Sequence, residues 1–82
     1  MKREEIIKIV NKFLIEELEI EEEKLAPAAR LKDDLGIDSL DFVDIVVIVE
    51  RDFKFKINPN EMINVSTLNA FYDYIESKVG DQ

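Results

Sequence analysis

Two glycines and two prolines in 82 residues leave this chain few places to turn, and that shortage of punctuation constrains its fold more than any other feature. A β architecture needs turn residues at short intervals, whereas long uninterrupted runs suit helices. From about Lys2 to Leu18, Ile6, Ile7, Val10, Phe13, Leu14 and Leu18 recur every three or four residues, which predicts a helix with one buried stripe. Near the other end, Ser66 or Thr67 can cap a helix carrying Leu68, Phe71, Tyr72, Ile75 and Val79 at the same spacing, with Gly80 at its stop.

The middle segment, Asp38 to Phe53, allows two readings. Its Val46-Val47-Ile48-Val49 run and the alternating Phe53-Lys54-Phe55-Lys56-Ile57 stretch would suit buried or edge strands. Length favours a helix: about fifteen residues with a cap at Asp38 or Ser39 and no turn signal exceed an ordinary strand. Pro59 then permits a turn and a short helix near Asn60 to Ile63. Between the first two helices, Glu19 to Ile37 has no sustained period, and so long a connection is often functional. Leu25, Leu31, Leu35 and Ile37 are expected to pin it to the core, while Glu21, Glu22 and Glu23 read as a solvated run. The expected fold is all-α: a small four-helix bundle of three main helices, one short helix and a long first loop, forming one domain over residues 1–82.

Composition then removes whole classes of function. Nineteen acidic against eleven basic residues give a net charge of −8, which opposes nucleic acid and anionic membranes and favours basic protein partners. With no histidine and no cysteine, the chain can form neither a Ser-His nor a Cys-His pair, a disulfide or a thiolate zinc site. Asp33, Asp34 and Asp38 lie in a polar loop with nothing to raise a carboxyl pKa for two-carboxylate hydrolysis, and no D-x-D-x-D-G loop points to calcium. Glu4, Glu5, Lys8, Asn11 and Lys12 break any signal-peptide core. No metal site and a cytoplasmic location are expected.

On a helical wheel the Asp38–Phe53 segment has two apolar groups. Phe42, Ile45, Val46, Val49 and Phe53 form a stripe broad enough to face a core. Leu40, Val43 and Val47 form a second, flanked by Asp44, Glu50 and Arg51. Two readings stay open: burial of both groups in a tight bundle, or exposure of the second as an apolar patch with a charged rim, which suits docking.

The run Asp34-Leu35-Gly36-Ile37-Asp38-Ser39-Leu40-Asp41 resembles the phosphopantetheine attachment motif of acyl carrier proteins, D-L-G-x-D-S-L-D, at every fixed position. The likeness extends through Glu50-Arg51-Asp52-Phe53, Ile57 and Tyr74-Ile75, covering roughly Ala29 to Ile75. The resemblance implies a free-standing carrier, not an enzyme, with a 4'-phosphopantetheine arm from coenzyme A on Ser39. Asp38 and Leu40 would belong to the attachment site. A separate pantetheinyl transferase would install the arm, and acyl-loading, condensing and modifying enzymes with basic surfaces would dock on Asp41, Val43, Asp44, Val47, Glu50 and Arg51. Ser39 would also help to cap its helix. Phe42, Val49, Val65 and Leu68 would line an acyl pocket, and the chain would act as a monomer, neither binding nucleic acid nor inserting in a membrane.

Departures from the family pattern are specific. Arg51 stands where the docking helix is usually acidic, and Phe42 and Ile48 stand where smaller residues are common. Pro59 comes one residue late. These changes suggest a specialised carrier. The resemblance favours fatty-acid or polyketide-type synthesis; the competing readings are an aminoacyl or peptidyl carrier, and an unmodified helical adaptor binding a basic partner through Leu40, Val43 and Val47.

Overall fold

In the computed structural model, residues 1–62 and 64–80 are described. Four α-helices follow one another: α1 Arg3–Glu16, α2 Ser39–Phe53, α3 Pro59–Met62 and α4 Leu68–Val79. Helices account for the regular structure, and among the described residues there is no strand, only an isolated bridge between Arg30 and Thr67. None of the helices is long and apolar enough to cross a membrane.

The apolar spacing places Ile6, Val10, Phe13 and Leu14 of α1 and Leu68, Phe71, Tyr72 and Ile75 of α4 in one core with Ile45, Ile48, Val49 and Phe53 of α2. Fully burying a side chain of this size contributes about 1.5–3 kcal/mol. Ile7, Leu18 and Val79, expected in the buried stripes, only lean on the core. Helix α1 also stops at Glu16, short of the expected Leu18, because the chain turns back through Glu19 in the left-handed region. On α2, Ile48 is buried while Phe42 and Val46 are half-buried, so the core stripe is rotated from the expected one. The helix reading is correct for Val46–Val49. The Lys54–Ile57 stretch is a connection, started by Lys54 in the left-handed conformation.

Arg3 ties the first helix to the last. Its guanidinium bonds Asp73 at 2.7 Å, Glu76 at 2.9 Å and Asn69 at 2.8 Å, and lies over the Tyr72 ring. The Tyr72 hydroxyl donates to Asn11 Oδ1, a second link between α1 and α4. At α3, the Glu61 carboxylate accepts from Tyr74 Oη and Lys78 Nζ, both at 3.2 Å, fastening that single turn to α4. The short helix begins at Pro59 rather than Asn60; its expected end at Ile63 lies outside the described residues.

The long connection is more ordered than its lack of period suggests. It contains a 3₁₀ turn at Glu22–Lys24, and Ile20, Ala29, Leu31, Leu35 and Ile37 are buried, with Leu25 half-buried. Backbone bonds fasten it to the start of α4: Leu31 N–H to the Ser66 carbonyl, Leu68 N–H to that of Ala29 and Asn69 N–H to that of Pro27.

Candidate functional site

The approach to α2 is set by a tight loop. The Asp34 carboxylate accepts from the Arg30 N–H at 2.8 Å, and the Ile37 N–H reaches the Leu31 carbonyl at 2.9 Å. Between buried Leu35 and Ile37, Gly36 adopts φ +69°, a conformation that L side chains seldom take. The loop therefore delivers Asp38 and Ser39 to the surface from an anchored base.

Asp38, not Ser39, is the N-cap of α2. Its carboxylate accepts from the Asp41 N–H at 2.9 Å, and the Asp41 carboxylate accepts from the Asp38 N–H at 3.3 Å, completing a reciprocal capping box. The expectation that Ser39 also caps is corrected: Asp38 already holds that position, and Ser39 is the first helical residue. Its side chain is exposed and its hydroxyl makes no hydrogen bond. The Ser39 and Leu40 N–H groups have no protein acceptor, as expected at a helix start.

This arrangement fits a phosphopantetheine arm. A free serine oxygen stands in the open, and the phosphodiester formed there would meet two open amides and the positive end of α2. The flanking Asp38 and Asp41 carboxylates are committed to each other's backbone, which fixes the turn that presents the hydroxyl.

Leu40, Val43 and Val47 are 76%, 61% and 60% exposed, so the second apolar group of α2 lies on the surface rather than in a tight bundle. Asp44 is exposed beside them. Glu50 and Arg51 are engaged within the fold. The Glu50 carboxylate accepts from the Ile57 N–H at 3.0 Å, closing the turn after α2. Arg51 bonds Asp52 at 3.0 Å and Glu17 at 3.1 Å, and these hydrogen bonds, Asp52's first, raise its pKa.

Of the four residues assigned to an acyl pocket, the structure brings two together. Phe42 and Val65 join Met62 in lining a surface groove of about 600 Å³, to which residues 30–33 of the loop also contribute. Val49 and Leu68 are fully buried in the core and do not line it. Sequence reasoning missed Met62 and the loop residues Arg30 and Lys32, because the pairing of the loop with the start of α4 is non-local. The D-x-x-D spacing of Asp38 and Asp41 was a local signal for the capping box.

The family model described as "Phosphopantetheine attachment site" matches residues 8–75. A protein of Thermotoga maritima named acyl carrier protein is 40% identical over 78 residues, covering 95% of this chain and 96% of the relative. Matched in sequence over nearly its whole length, the chain belongs to the acyl carrier protein family, whose members carry groups on phosphopantetheine and are not enzymes.

Proposed function

We propose that Ser39 is the attachment point of the arm and that the chain serves fatty-acid or polyketide-type synthesis in the cytoplasm as a monomeric acyl carrier. The observation that carries this reading is the Ser39 hydroxyl itself, exposed and unbonded at the first turn of a helix whose cap is supplied by its neighbour Asp38. Once attached, the group supplies a terminal thiol that holds acyl chains as thioesters.

Asp38 and Asp41 hold the first turn, Gly36 aims it, and the oxygen of Ser39 forms the bond to phosphorus. The pyrophosphate bond of coenzyme A breaks as that bond forms, releasing adenosine 3',5'-bisphosphate, and the transferase takes the hydroxyl proton, since this chain has no histidine to receive it. Leu40, Val43 and Val47 give partners an apolar surface beside the serine. Asp41 and Asp44 give it an acidic border that attracts transferase, loading, condensing and modifying enzymes with basic faces. In this reading Glu50 and Arg51 act on docking chiefly by fixing the end of α2.

The test is intact mass after incubation with coenzyme A and a promiscuous pantetheinyl transferase. Wild type should gain one arm, and Ser39→Ala none while keeping its helical circular dichroism. An unmodified wild type would return the chain to the adaptor reading, and a modified Ser39→Ala would move the attachment point. Loading with acyl against aminoacyl groups by the corresponding synthetases then separates this carrier from the aminoacyl type.

A further inference from the structure

We propose that the docking surface turns off α2 onto the end of α1, and that Arg51 guards this extension. A partner enzyme sets an apolar side chain against Leu18 and Val47, and a neighbouring Lys or Arg takes the Glu17 carboxylate from Arg51. This deepens the docking reading of α2 and rests on it.

Arg51 and Glu17 line two surface hollows at once. One, of about 570 Å³, lies against Ile9 and Phe13 of α1. The other is a notch of about 290 Å³ against Leu18, Asp44, Val47 and Ile48. The 3.1 Å bond between Arg51 and Glu17 is thus a wall common to both. Val47 belongs both to the notch and to the exposed stripe that begins at Leu40. From Leu40 to Val47 is seven residues, about 10 Å of helix axis, so a partner segment laid along the stripe from the Ser39 end arrives at the notch. Small-molecule pockets start at about 300 Å³; the notch suits one protruding side chain better than a free ligand.

Charge decides the neighbour of that side chain. The charged residues lining the two hollows are Glu16, Glu17, Asp44 and Asp52 against Lys12 and Arg51, so the region stays acidic with Arg51 counted and invites a cation. Asp44 has no hydrogen-bond or ion-pair partner, and it shares the notch with Glu17. Arg51 reaches Glu17 by one contact but Asp52 by two, at 3.0 and 3.5 Å. It therefore keeps Asp52 when Glu17 changes partner, and the exchange strands no charge. The Arg51 and Glu17 side chains are 58% and 41% exposed, and ion pairs this open are weak. A partner cation can break the bond, whereas a partner lacking one leaves it closed and gains only the α2 stripe. Arg51 is in this way a specificity-determining residue that acts through Glu17.

The experiment titrates the protein with a pantetheinyl transferase whose docking face is basic, at low salt and without coenzyme A, so that binding is read apart from modification. Arg51→Gln should bind several-fold more tightly than wild type. That gain should largely vanish when Glu17→Gln is also present, a coupling that a double-mutant cycle isolates. Methyl cross-saturation from the bound transferase should reach Leu18 as well as Val43 and Val47. An Arg51→Gln gain of equal size with and without Glu17 would reduce the effect to bulk charge and overturn the proposal. So would a gain accompanied by a shifted Ile57 amide, which would assign it to a loosened end of α2. Saturation of the α2 stripe that leaves Leu18 untouched defeats the extension alone, whereas saturation absent from α2 defeats the docking reading with it. Intact mass after coenzyme A is added reads the Ser39 assignment separately.

Discussion

The guanidinium of Arg51, in the last turn of α2, lies 3.1 Å from the carboxylate of Glu17, the C-cap of α1. Since it also bonds Asp52, the cation that looks anomalous in an acidic docking helix is largely neutralised within the fold. Arg51→Glu would place three carboxylates together at the ends of two helices. The variant should melt below wild type at low salt and approach it at high salt, because exposed charges are screened over about 10 Å at 0.1 M. Equal melting temperatures across a salt series would show that the Arg51–Glu17 pair is not formed in solution.

The proposed attachment point, Ser39, and the cap, Asp38, are adjacent residues, and mutation should separate their roles. Ser39→Ala removes a hydroxyl with no partner, so stability should stay within about 0.5 kcal/mol of wild type while modification disappears. Asp38→Ala removes the cap and should cost about 0.5–2 kcal/mol while leaving the serine in place. Chemical denaturation with parallel mass spectrometry checks both. A Ser39→Ala loss as large as that of Asp38→Ala would mean that the serine shares the cap after all.

The helices were legible because their apolar residues repeat locally, and Thr67 fulfils its expected role as the cap of α4, accepting from the Ala70 N–H. Exposure of Leu40, Val43 and Val47 was half-legible, since a wheel separates faces but cannot say which face finds a partner. Burial of Ile48 was missed because it lies between the two faces and its environment depends on where neighbouring elements pack. Glu50 was assigned to docking by its flank position on the wheel; its bond to the Ile57 N–H depends on the loop folding back. The groove was the least legible feature, as Lys32 and Met62 line one groove only through the pairing of the loop with the start of α4.

Self-repulsion among the acids follows from their crowding around the start of α2. Asp34, Asp38 and Asp41 are spent on backbone N–H groups, but their charges remain close, with Asp44 one turn on. Sodium chloride should raise the melting temperature, and magnesium should do so at lower concentration. For a domain of this size each kcal/mol gained is worth about 4–8 °C. Flat melting curves across both series would show that the acids carry no mutual strain.

Alkali should loosen the α1–α4 seam. Burial raises the Tyr72 pKa, partly offset by the bond to Asn11 and the charge of Arg3. A phenol whose folded pKa lies above its unfolded value of about 10 stabilises the fold below that pH and loses the contribution as pH rises through the folded pKa. Stability should therefore fall above about pH 10, in step with phenolate absorbance. Tyr72→Phe should be less stable near neutrality but lose less with rising pH. A variant with the full wild-type alkaline loss would shift the cause to Tyr74, whose pKa burial also raises.

Gly36 offers a test of the loop that presents Ser39. A Cβ built there meets no atom within 4 Å, so an alanine would not clash. The whole penalty is then conformational, because φ is +69°, and holding an L residue in the left-handed region costs about 1–2 kcal/mol. Gly36→Ala should be destabilised by that amount, and Gly36→Asn by less, since asparagine visits the region more readily. Strain at this point acts on buried Leu35 and Ile37 on either side, so relief of φ would rotate the chain leading into Asp38. The transferase should therefore modify Gly36→Ala more slowly than Gly36→Asn, even at temperatures where both are fully folded. An alanine variant that melts and is modified like wild type would show that the loop can reach the serine's position by another backbone path.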